Sequence, residues 1–123
     1  MPLITIHGIP PVDRPDEIHG LKQSVIVAAV AVKNIELSGK RLLATCPADR
    51  DTLETGDTVI VSVQGLFDRP SRSYAVRGEL CQAILEVVRQ WVAKHLPQCT
   101  YIEVLLDHPY DKRMGHAEWR KES

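Results

Sequence analysis

A near-repeat constrains this chain more than any other feature. Val12-Asp13-Arg14-Pro15 recurs 55 residues later as Phe67-Asp68-Arg69-Pro70, and each copy leaves an apolar strand-like run and opens a helix-like one. The same offset lays Ile4 and Ile6 on Val59 and Val61, so the strand face is kept together with the turn. Two stacked β-α-β units are the economical reading, each with a right-handed crossover. They occupy roughly residues 2–50 and 57–107 of a single domain over 1–123. With 44% hydrophobic residues, a chain of this length builds a core without disulfides or metal.

The elements follow from local chemistry. Leu3 to Ile9 reads as a strand, ended by Pro10-Pro11 because proline has no amide hydrogen to give a ladder. Asp13, Pro15, Asp16 and Glu17 then form a helix start, with acids at the positive end of the helix dipole and proline in the first turn. Ile18, Leu21, Val25, Ala28, Ala29 and Val32 follow at helical spacing, although the apolar run Val25 to Val32 also has the periodicity of a buried strand. We favour the helix. Arg41 to Cys46 is a second strand, Pro47 to Asp57 a loop, and Thr58 to Phe67 a third strand that alternates at period two. A long helix spans about Ser71 to Leu96, with Tyr74, Cys81, Ile84, Val88, Trp91 and His95 as its apolar stripe and Pro97 closing it. Tyr101 to Leu106 is the fourth strand, and a polar tail runs from Asp107 to Ser123.

Sorting the strands by face gives the sheet two different sides. Ile4, Ile6, Val59, Val61, Val63, Ile102, Val104 and Leu106 make one fully apolar face for the two helices to cover. Leu3, Thr5, His7, Ile60, Ser62, Gln64, Tyr101, Glu103 and Leu105 lie on the other. That mixture is too apolar to leave in water and too polar for a dry core, which suits burial against other subunits.

Fifteen basic and sixteen acidic residues leave a formal net charge of -1, so no global field draws the chain to nucleic acid or anionic lipid. The longest apolar run is far too short to cross a bilayer, and Met1 to Gly8 has no signal-peptide pattern. Cys46, Cys81 and Cys99 are odd in number and far apart, as expected of reduced thiols in a cytoplasmic protein. His7, His19, His95, His108 and His116 show neither HxH nor HExxH spacing, so neither a metal nor any other cofactor is expected. No GxSxG elbow and no glycine-rich phosphate loop is present. A small-molecule or protein partner is left as the natural expectation.

Pro2 then stands out. With Met1 removed it is a secondary amine, and an α-amino group titrates near 7.7–8.0 before any environmental shift. Burial or nearby cations push that value down by disfavouring the charged form, which yields a general base poised near neutral pH. The plain alternative is that a proline after the initiator methionine is common and carries no chemistry.

The opening Pro2-Leu3-Ile4-Thr5-Ile6-His7, the two-unit layout, the chain length and the polar second face together resemble the tautomerase superfamily, in particular its longer-chain branch of 5-carboxymethyl-2-hydroxymuconate isomerase-like members. The resemblance implies an α/β fold, a four-stranded mixed sheet with two helices on one face. It also implies a homotrimer with active sites between subunits. Pro2 would be the base that moves a proton between carbons of a small keto/enol carboxylic acid. Arg41, in Gly39-Lys40-Arg41-Leu42, stands where the family holds a substrate carboxylate, and Arg72 matches a further basic position of the isomerase branch. Guanidinium groups suit that work because they bind carboxylates bidentately and stay charged while the base titrates. Solvated caps or surface ion pairs are the alternative reading for both, with Lys40 a weaker substitute. Leu106-Asp107-His108-Pro109-Tyr110 resembles the segment that completes a neighbour's pocket, which makes Tyr110 a further binding candidate. The branch's downstream asparagine is missing here, so a non-catalytic trimeric binding protein of the same fold is the alternative function.

Overall fold

The computed structural model describes residues 2–10, 15–39, 42–47, 58–67, 69–107 and 117. Its elements are β1 (Leu3–His7), α1 (Pro15–Val30), β2 (Leu43–Thr45), β3 (Thr58–Gln64), α2 (Tyr74–His95) and β4 (Tyr101–Leu106). The sheet order is β2-β1-β3-β4. Within each half the strands are parallel, β1 with β2 and β3 with β4, and the halves meet through antiparallel β1 and β3. This is the expected pair of β-α-β units, and the run Val25 to Val32 lies mostly in a helix.

The internal repeat is visible in the register. Ile6 and Val61, 55 residues apart, are direct partners across β1 and β3, so a pseudo-two-fold axis passes between them. The offset continues into the helices. Leu21, Val25 and Ala29 are the buried residues of α1, and their counterparts 55 residues on, Val76, Leu80 and Ile84, are buried in α2. The symmetry slips only after α2. Leu43 lies beside Leu3 and Tyr101 beside Thr58, which sets β4 three residues further from its start than β2 is from its own. The difference accompanies a helix of 22 residues in the second unit against 16 in the first.

Both helices pack on the face made by Ile4, Ile6, Val59, Val61 and Val63, all essentially without solvent exposure. Ile102, Val104 and Leu106 are half-buried against the same core. Five apolar side chains a turn apart, from Val76 to Val92, line the inner side of α2. This corrects the expected stripe in part: Ile84 and Val88 are inside, but Tyr74 is 87% exposed, and Trp91 and His95 are half-buried. The physical reason is that an adjacent row free of polar atoms was available, and burying it leaves no hydroxyl, indole or imidazole to satisfy. Trp91 and His95 instead stack at the rim with ring centroids 4.3 Å apart, and the indole Nε1 donates to the Glu17 carbonyl at 3.2 Å. α1 is thereby tied to the end of α2.

Among the described residues, no helix lies over the second face of the sheet. Leu43, Tyr101 and Leu105 are each about half exposed there, Leu3, Ile60, Ser62 and Glu103 are partly buried, and the central Thr5 is buried. No described helix is long and apolar enough to cross a membrane.

Candidate functional site

Chain direction gathers the candidate chemistry at one end of the sheet. β1 leaves that end and α1 returns to it, while β3 arrives there and hands over to α2. Pro2 sits at this end, immediately before a central strand. It is buried, and its carbonyl accepts a hydrogen bond from the Leu43 amide at 3.3 Å, which holds it against β2. Extending the pairing of Leu3 with Gln64 by one step sets Pro2 opposite Gly65. Gly65 has φ of 76°, in the left-handed region that glycine enters without a Cβ penalty, and there the chain turns out of β3 toward α2.

Arg72 lies at the same end, and the structure gives it a different occupation from the one expected. Its side chain is buried and turned onto three backbone carbonyls: Nε donates to Ile35 O at 2.7 Å, Nη1 to Phe67 O at 2.7 Å and Nη2 to Glu36 O at 3.1 Å. Burial first, and the like charge of Arg69 second, hold this guanidinium below its usual range, with Glu36 opposing them. The Arg69 to Glu36 ion pair, at 3.5 Å between half-exposed side chains, adds little. A carbonyl clamp could not be read from the sequence, because its acceptors are main-chain oxygens on two turns far apart in the chain. The only local hint was Asn34, a residue type that tolerates positive φ.

Ser73 caps α2 through its hydroxyl, which accepts from the Val76 amide at 3.3 Å. Arg41, Lys40 and Tyr110 lie outside the described residues. On the uncovered face, the Tyr101 hydroxyl donates to the Glu103 carboxylate at 2.8 Å, and this bond pushes the phenol's titration upward. Side chains two apart on a strand share a face, so the pairing was available from the sequence and was missed. Among the described residues no three of His, Cys, Asp and Glu converge as a metal site requires.

All three cysteines are free thiols and half-buried. Burial raises the titration of Cys81 above the ordinary thiol value. Thiol counting after denaturation without reductant should return all three, and in the native state Cys81 should label slowly at pH 7 and faster as the pH rises. Rapid labelling of Cys81 at pH 7 would contradict the assignment.

No family model matches the chain, and no curated protein matches it by sequence. Solved structures do match. A 5-carboxymethyl-2-hydroxymuconate isomerase from Deinococcus radiodurans R1 superposes with a TM-score of 0.65 at 21% identity, covering 99% of this chain and 90% of that one. A fused 4-OT wild-type symmetric trimer gives 0.58 at 18% identity, over 87% of this chain and 85% of that one. A domain of unknown function from Sebaldella termitidis gives 0.60 at 14% identity, over 96% of each. The resemblance to the tautomerase superfamily is thus borne out at the level of fold.

Proposed function

From a chain with the tautomerase fold, we propose an isomerase that interconverts keto and enol, or positional, isomers of a small carboxylic acid, with the nitrogen of Pro2 as general base after Met1 is removed. The observation that carries this reading is the position of Pro2: buried, fixed through its carbonyl, and placed at the start of a central strand. The amine would take a proton from the carbon next to a carbonyl and return it to another atom of the same enolate, so no co-reactant is consumed. Arg41 would hold the carboxylate and Tyr110 supply a further donor. Homotrimer formation over the uncovered face of the sheet would bring the neighbouring subunit's carboxy-terminal segment to the site. Apolar side chains such as Leu105 on a face without a helix support such an assembly, and the fused 4-OT structure is a trimer.

The second reading, a non-catalytic small-molecule binding protein of the same fold, is favoured by one observation: Arg72, a candidate ligand for the substrate, is turned onto the protein's own carbonyls. Intact mass of protein made without a tag separates the two. The isomerase reading expects a mass short of one methionine, and a retained Met1 leaves Pro2 an amide with no basic lone pair.

A further inference from the structure

We infer that Arg72 is a positioning residue for Pro2, acting through the turn that faces it; the inference rests on the reading of Pro2 as the base. Two turns meet at this end of the sheet, and each carries left-handed backbone. In the turn leaving α1, Asn34 and Glu36 have φ of 70° and 55° on either side of the fully buried Ile35. Asparagine tolerates that region, but Glu36 occupies it only where its surroundings impose it. In the turn leaving β3, Gly65 comes one step beyond the Leu3–Gln64 pair, which puts it opposite Pro2 if the register continues, and is followed by the buried Leu66 and by Phe67.

Arg72 joins these turns. Its three bonds reach Ile35 and Glu36 in the first and Phe67 in the second, from one rigid plane. A lysine keeps the charge at this position but offers a single nitrogen on a flexible stem, which does not span three separated carbonyls. Through the Phe67 carbonyl, Arg72 would fix the stretch that leads back to Gly65, and with it one wall of the space in which Pro2 would meet a substrate. Placement of a reacting group to within an ångström is worth roughly a hundredfold in rate, so a loosened turn should be read in turnover and not only in stability.

The experiment compares wild type and Arg72→Lys with phenylenolpyruvate and with its methyl ester, well below the melting midpoint of both proteins. The positioning role predicts that kcat falls roughly 10- to 100-fold for acid and ester alike, with KM little changed. A loss confined to the acid and expressed as a higher KM would make Arg72 a carboxylate ligand and overturn the inference. Unchanged kcat on both substrates, with only a lower melting midpoint, would leave it a purely structural clamp and also overturn it. Pro2→Ala with full activity would instead remove the base reading itself, whatever Arg72→Lys does. A readout independent of turnover is the NMR titration of isotopically labelled Pro2 in methionine-free protein. Arg72→Lys should move its midpoint, and identical midpoints in the two proteins would contradict the coupling.

Discussion

Leu105→Asp should convert the proposed trimer into monomers and take any activity with it. Leu105 pairs with Ser62 on the face that no described helix covers, and in the single chain it is 47% exposed. Its row runs on through Ser62 and Thr5 to Thr45, so a neighbour seated there would desolvate the new carboxylate beside a row of side chains that carries no cation. Burying an unpaired carboxylate costs several kcal/mol, and a three-fold assembly incurs it three times. Sedimentation equilibrium should return about three times the 13.8 kDa chain mass for the wild type and the chain mass for the variant. Val27→Asp, at a site 66% exposed on α1, is the control and should leave the assembly intact. A wild-type monomer at micromolar concentration would overturn the assembly, as would a trimeric Leu105→Asp.

Gly8→Ala should destabilise the fold by about 3 kcal/mol or more, a large cost for one methyl group. Gly8 ends β1 with φ of 95°, and a Cβ built there would fall onto the backbone carbonyl of Thr58 at the start of β3. Two penalties act together: a side chain in a region that suits glycine, and a collision with main chain that cannot swing away. Relief requires β1 and β3 to part where the two units join. Thermal unfolding should show a midpoint lower by on the order of 10 °C. Gly20→Ala is the matched control, since nothing lies within 4 Å of a Cβ at that helical position, and it should be neutral or slightly stabilising. Equal midpoints for wild type and Gly8→Ala would show that the turn accommodates a side chain.

Much of this architecture was legible because it rests on periodicity. The strand faces follow from period two, and the 55-residue offset carried through to the buried rows of both helices as well as to the Ile6 to Val61 pair. Two features did not follow from pattern. In α2, two neighbouring rows were both apolar enough to serve as the stripe, and polar-atom satisfaction, which depends on the partner surface, chose between them. In β2, among the described residues, Leu43–Thr45 alone pairs with β1, whereas the sequence suggested a strand from Arg41 to Cys46. Of the candidate site, the placement of Pro2 was legible from its neighbours in sequence, because a residue just before a central strand is fixed by that strand's pairing. The occupation of Arg72 was not. It depends on carbonyls exposed by two turns distant in sequence, and a basic residue looks the same whether it faces a ligand or the protein's own backbone.

The central claim, that the amine of Pro2 is the base, is tested most directly by the rate at which methionine-free wild type and Pro2→Ala convert phenylenolpyruvate to its keto form under identical conditions. Replacing a secondary amine by a primary one in a less restrained chain end removes the fitted base, and general base catalysis is worth about 10²- to 10⁴-fold. The account predicts measurable turnover by the wild type and a loss of at least about a hundredfold in Pro2→Ala, with the folded assembly retained. Equal rates for the two proteins would contradict it.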